Sequence, residues 1–155
     1  MKNIVDKSLE TTTAIIMVAM VFMCCWQIFT RYILDNASSV SEEFLRYALI
    51  WVSMLGTPYA YGKRKHIAII LLNRTFTDAG KRINEFFIEI VVIFLSISIL
   101  LVGGTQVMLN SAGQVSPALG MPMQFLYLCL PVCGVLMLFY SACNIAELKK
   151  EEANL

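Results

Sequence analysis

The chain has 155 residues, 58% of them hydrophobic and 15% charged, with a formal net charge of +1. A soluble domain of this length needs far more polar surface to cover its core, so the composition excludes one. The 12 lysines and arginines are spread between hydrophobic runs, which excludes the basic stripe of a nucleic-acid-binding protein.

Hydrophobic runs divide the chain into four predicted transmembrane helices. They make an all-α integral membrane fold with one membrane domain over residues 1–155. The first span covers about 11–33. Thr11 to Thr30 is a run of 20 uncharged residues, longer than the core of a secretory signal and long enough to cross a bilayer. It therefore reads as an uncleaved anchor, although Ala37, Ser38 and Ser39 offer small residues near a cleavage point. Arg31 closes this span, and Trp26 lies near the end where indole rings settle at a membrane boundary.

The second predicted span, about 43–62, opens on Glu42, Glu43 and Arg46, carries Trp51 and has Pro58 near its far end. Glu42 and Arg46 form an i, i+4 pair in the favourable acid-first order, and Glu43 and Arg46 an i, i+3 pair. Arg31 stands across a short connection from both carboxylates. Two readings stay open: these four charges fix how the first two helices pack, or they make a polar surface for another protein.

Residues 66–74 are too short to span and too apolar for an ordinary loop, and basic residues flank them. They predict a short helix lying in the membrane interface, the alternative being a re-entrant or packed loop. His66, the single histidine, has no second ligand at metal spacing and reads as an interfacial side chain; no metal site is expected.

The third predicted span runs over about 84–109. Lys81, Glu85 and Glu89 form a stripe one turn apart, and Glu89, about 12 Å from Lys81 along the axis, is the carboxylate well inside a span. It is either a proton or cation site or a group paired with a neighbour. Ser96, Ser98, Gly103 and Gly104 supply small residues for close helix packing. Gly113, Pro117, Gly120 and Pro122 break the helix between Asn110 and Pro122. The fourth span follows over about 123–146. Cys24, Cys25, Cys129, Cys133 and Cys143 all lie in apolar stretches, where they are expected to pack as small hydrophobes.

Ten of the twelve basic residues fall before the first span, between the second and third, or after the fourth. Four spans put those regions on one side, so the positive-inside rule predicts both termini in the cytoplasm. No nucleophile–base pair, phosphate loop or metal cluster is present in the sequence, so neither enzymatic activity nor a cofactor is expected. The midplanes of the spans are almost wholly apolar, which suits packing against membrane lipids and another membrane protein better than moving a polar solute alone.

Several motifs carry a family resemblance. Gln27, Arg31 and Tyr32 end the first span, and Ser41-Glu42-Glu43-Phe44-Leu45-Arg46, Trp51, Gly56 and Lys63 to Ile67 follow. Ser116-Pro117-Ala118-Leu119, Met121-Pro122, Tyr127 and Pro131 then lead into the fourth span. In their order and spacing these resemble the small membrane subunit of the tripartite ATP-independent periplasmic (TRAP) transporters of bacteria and archaea. The resemblance implies a bacterial inner-membrane scaffold beside a large TRAP membrane subunit that carries the sodium and substrate sites and moves as an elevator. It also implies a periplasmic substrate-binding protein and import of a carboxylate solute such as a dicarboxylate or sialic acid. Arg31, Glu42, Glu43 and Arg46 match the family's charged motif and are candidates for ordering the first two helices and shaping a surface near the docked binding protein. Asp35 and the 110–122 loop are weaker docking candidates on the same side.

Three other readings compete. One is a self-contained small transporter coupled to protons or cations through Glu89. A second is a membrane redox enzyme using Cys129 and Cys133, and a third is an unrelated accessory subunit.

Overall fold

The computed structural model describes residues 2–35, 38–63 and 78–152, with side chains for 3–35, 38–63 and 86–146. The interfacial helix expected over 66–74, with His66, lies outside the described residues, as do the side chains of Lys81 and Glu85. Within them the chain is helical and forms no strand. The elements are α1 (Lys2–Ile33), α2 (Ser39–Gly62), α3 (Asp78–Leu95), a π-helical segment (Ser96–Gly103), α4 (Gly104–Asn110), α5 (Gln124–Tyr127) and α6 (Cys129–Glu152).

Local sequence explains these bounds. α1 is an uninterrupted run of 32 residues without Gly or Pro. The hydroxyls of Thr11 and Thr13 donate back to the carbonyls of Lys7 and Leu9 at 2.8 and 2.7 Å, so they do not compete for the helix backbone. Asp35 turns the chain at φ 49°, and Ser38 caps α2 by accepting from the Ser41 amide at 3.4 Å. Pro58 is buried inside α2. The π segment interrupts the third rod without ending it: the Gly104 amide reaches back five residues to the Ile99 carbonyl.

Three stretches are long and apolar enough to cross a membrane, Asn3–Ile33, Phe86–Asn110 and Gln124–Ala146. At 24 residues α2 is about 36 Å long, which also suffices. Its apolarity falls short because Arg46, Tyr47, Ser53, Thr57, Pro58, Tyr59 and Tyr61 interrupt the hydrocarbon. This polar-interrupted helix has neighbours on two sides. α2 packs between α1 and α6, while α3 and the π segment pack on α6.

Contacts fix two ends of the bundle. Glu10 of α1 meets Tyr59 of α2, so these helices are antiparallel, and the start of α1 lies beside the ends of α2 and α6. We call this the terminal end. The buried core of Leu9, Leu55, Tyr61 and Tyr140 sits there, with Val5 and Met137 against it. At the opposite, hairpin end, residues 111–123 fold back on themselves. The Ser116 amide donates to the Met121 carbonyl at 2.9 Å and the Met123 amide to Gln114 at 3.0 Å, around one bridge between Val115 and Pro122. Gly113 and Gly120 take φ values of 84° and 64°, the left-handed region that a side chain resists. Along α1, by contrast, none of the most apolar stretch is buried, and Phe22 stands 72% exposed.

Small residues set how closely helices approach. A Cβ on Gly104 would stand 2.8 Å from Leu130 Cβ, and one on Gly134 would stand 3.0 Å from Leu100 Cβ, so the third rod and α6 meet almost backbone to backbone. Ser96 is buried on the same side. Ser98 and Gly103 do not join this contact: Ser98 is exposed and donates to the Phe94 carbonyl of its own helix at 2.7 Å, and a Cβ on Gly103 would meet Ser98 O alone at 3.6 Å. Between α2 and α6 the tightest point is Gly62, where an added Cβ would fall 2.3 Å from Tyr140 Cδ1.

That contact gives a direct test. The Tyr140 ring is fully buried and its hydroxyl is tied to Asp6, so it cannot swing aside. Gly62→Ala should destabilise the purified protein by about 1–3 kcal/mol through overpacking. Gly56→Ala, where a Cβ meets nothing within 4 Å, should leave the thermal midpoint unchanged or slightly raised.

Candidate functional site

Among the described residues most buried polar side chains gather in two clusters, one at each end. At the hairpin end, the first turns of α2 present Glu43 inward, 8% exposed. Its Oε2 accepts the backbone amides of Ala118 and Leu119 at 2.8 and 3.0 Å, and its Oε1 accepts the Tyr47 hydroxyl at 2.5 Å. Two successive N–H groups converging on one carboxylate oxygen make a small anion nest. Glu43 fills it from within the chain and pins the hairpin to α2. Pro117 precedes these two amides and presets the local backbone.

The other charges of the motif behave differently. Arg46 pairs with Glu42 at 3.2 Å, and both side chains remain more than 60% exposed, at 67% and 63%. The expected i, i+3 pairing of Glu43 with Arg46 is not formed, because backbone amides 75 residues away hold the carboxylate. Arg31 and Asp35 are exposed, and among the described residues Arg31 forms no ion pair with either carboxylate. The motif therefore splits: Glu43 works inside the fold, while Arg31, Glu42 and Arg46 face outward. Trp26 is 53% exposed and stacks on Phe29 with ring centroids 5.9 Å apart. Trp51 is half-buried against a cavity of about 300 Å³.

At the terminal end Glu89 of α3 is 7% exposed and turned onto α6. It accepts from the Ser141 hydroxyl and from Asn144 Nδ2, the latter at 3.1 Å, while the Tyr61 hydroxyl of α2 faces the same group. Asp6 accepts from Tyr140, and Glu10 accepts from Tyr59 at 3.3 Å. Lys63 Nζ lies 4.7 Å from the Tyr59 ring centroid, within cation–π range. Four carboxylates thus fasten three helices to their neighbours. Sequence reasoning singled out Glu89 and missed Asp6, Glu10, Tyr59, Tyr140, Ser141 and Asn144. The readable signal was faint: Ser141 and Asn144, three residues apart on an otherwise apolar helix, share a face.

Cys129 and Cys133 are each 1% exposed, and all five cysteines are unbonded thiols. The described residues contain no group of three or more His, Cys, Asp or Glu side chains able to hold a metal. The arrangement is equipped to fasten helices together.

Comparison with known proteins agrees with that character. Residues 14–151 match the family described as tripartite ATP-independent periplasmic transporters, DctQ component. The chain is 27% identical over 150 residues to the sialic acid TRAP transporter small permease protein SiaQ of Vibrio cholerae, covering 97% of this chain and 86% of that one. It is also 24% identical over 113 residues to the sialic acid TRAP transporter permease protein SiaT of Haemophilus influenzae, covering 73% of this chain and 18% of that longer protein.

The Glu43 nest is testable by hydrogen exchange. Glu43→Ala removes the acceptor of two amides, so Ala118 and Leu119 should exchange faster by on the order of tenfold or more. Glu42→Gln, which breaks an exposed pair, should leave their protection unchanged.

Proposed function

The chain belongs to the DctQ component family of tripartite ATP-independent periplasmic (TRAP) transporters, and from that premise we propose that it is the fixed scaffold beside a large permease in sodium-coupled uptake of a carboxylate solute. Its membrane-spanning helices and family make it a multi-pass membrane protein and a transporter component, not an enzyme. The observation that carries the scaffold reading is how the buried carboxylates are used. Glu43 and Glu89 each bond to groups of this same chain, and the cavity of about 300 Å³ is walled by hydrocarbon. Among the described residues a polar solute finds no line of polar groups to replace its hydration.

In this reading α1, α2, the third rod and α5 with α6 cross the bacterial inner membrane four times, with both termini in the cytoplasm. Two features support it. Packing between α1 and α6 covers part of the polar helix α2, and ten of the twelve basic residues fall in the sequence before the first span, between the second and third, or after the fourth. The hairpin end then faces the periplasm. There Arg31, Glu42, Arg46 and Asp35 form an outward polar rim toward the periplasmic binding protein, with Glu43 holding the hairpin in register beneath it. Sialic acid, named for the Vibrio cholerae relative, is the carboxylate we favour over a dicarboxylate.

Reconstitution separates scaffold from carrier. Liposomes containing this chain alone should take up no labelled sialic acid, whereas those with the large subunit should import it when the binding protein and a sodium gradient are supplied. Uptake by the chain alone would overturn the proposal. Glu89→Gln should retain import, because the amide still accepts one hydrogen bond from α6. Reversing the exposed charges, Arg31→Glu with Arg46→Glu, should leave assembly intact and raise the concentration of binding protein needed for half-maximal uptake by roughly threefold to tenfold, most at low salt. An unchanged requirement would remove these residues from the docking surface.

A further inference from the structure

The bundle is fastened at one end and parted at the other. At the terminal end α1 is drawn onto α6 by the Asp6–Tyr140 hydrogen bond and by Leu9 in the buried core. Toward the hairpin end no hydrogen bond joins α1 to α5 or the hairpin among the described residues. The helices separate around the cavity of about 300 Å³, walled by Ile15, Ile16 and Ala19 of α1, Ala48 and Trp51 of α2, and Phe125 of α5.

We infer that this cavity seats an acyl chain of a membrane phospholipid. Its lining side chains are apolar apart from the Tyr47 hydroxyl and the Trp51 indole N–H. The hydroxyl is already bonded to Glu43, with the Met123 sulfur at 3.4 Å. An occupant with polar atoms would leave them unpaired, which disfavours a headgroup or a polar solute. The volume is about twice the roughly 150 Å³ of an engineered apolar cavity that binds benzene, room for a run of methylenes. The surroundings supply the ligand. α1 belongs to a stretch able to cross a membrane, and its outer side exposes Val18 and Phe22, so the medium beside the opening is lipid hydrocarbon. Left empty, the walls would forfeit their dispersion contacts. A chain entering between α1 and α5 restores them without drawing the helices together. The inference rests on the membrane location of the chain and not on its role in transport.

Phospholipid carrying a photoreactive diazirine on its acyl chain tests the seat. The full chain is placed in vesicles of that lipid, alone and with its large subunit, irradiated, and the adducts mapped by mass spectrometry. Adducts are expected on the cavity segments around Ile16, Ala48 and Phe125, and also at the outward Phe22 and Phe94, which report bulk lipid. Ala19→Phe should lower cavity labelling roughly fivefold and leave Phe22 and Phe94 unaffected. Ala48→Leu, a smaller filler, should act in the same direction. Labelling confined to the outward residues, cavity labelling that ignores both fillers, or no labelling anywhere would overturn the assignment. So would cavity labelling that vanishes beside the large subunit, which would give the seat to a side chain of that partner.

Discussion

A helix with three tyrosines, two carboxylates, an arginine and a buried proline is a poor neighbour for lipid, and the bundle is organised around sheltering it. α2 packs between α1 and α6, and its inward polar groups meet partners from neighbouring helices or the hairpin. Tyr59 bonds to Glu10, Tyr61 faces the Glu89 cluster, and Glu43 takes two backbone amides. Hydrocarbon offers no substitute for such partners, so each pairing also acts as a positional constraint. The apolar helices are freer. Most of α1 needs only hydrocarbon around it, and its middle is left outside the packing.

What the sequence disclosed follows from which forces are local. Hydropathy marks α1, the third rod and α6, because each is judged residue by residue against the bilayer. The all-helical class and the family, through the Ser41–Arg46 and Ser116–Pro122 motifs, were also legible. The inner face of the site was not. Glu43 sits beside Arg46 in sequence, and local spacing favours that pair, yet the nearer chemistry in space is the turn at Ala118 and Leu119. An exposed ion pair is worth little and unpaired buried amides cost much, so the carboxylate goes to the amides. Gly104 was marked as a packing residue and does meet α6, but Gly62 was passed over because nothing near it announces the ring of Tyr140.

A division of labour between the ends would suit the bracing role proposed above. Buried carboxylates hold the helices and hairpin together, and at the hairpin end the exposed charges include the Glu42–Arg46 pair, Arg31 and Asp35. The relation to a longer permease, of which this chain matches 18%, fits a module able to work beside a much larger body.

The fastening of Asp6 to Tyr140 joins residues 134 positions apart, and that separation governs the order of assembly. While a ribosome feeds the chain into the membrane, α1 and α2 can associate early, since the contact between Glu10 and Tyr59 closes a loop of 49 residues. Asp6, Leu9 and Gly62 must then wait, half-finished, until the last helix arrives with its tyrosine. An early-made and a late-made helix of this chain thus complete one another, and a chain cut short before α6 would leave Asp6 without its tyrosine and Gly62 without the ring that packs on it.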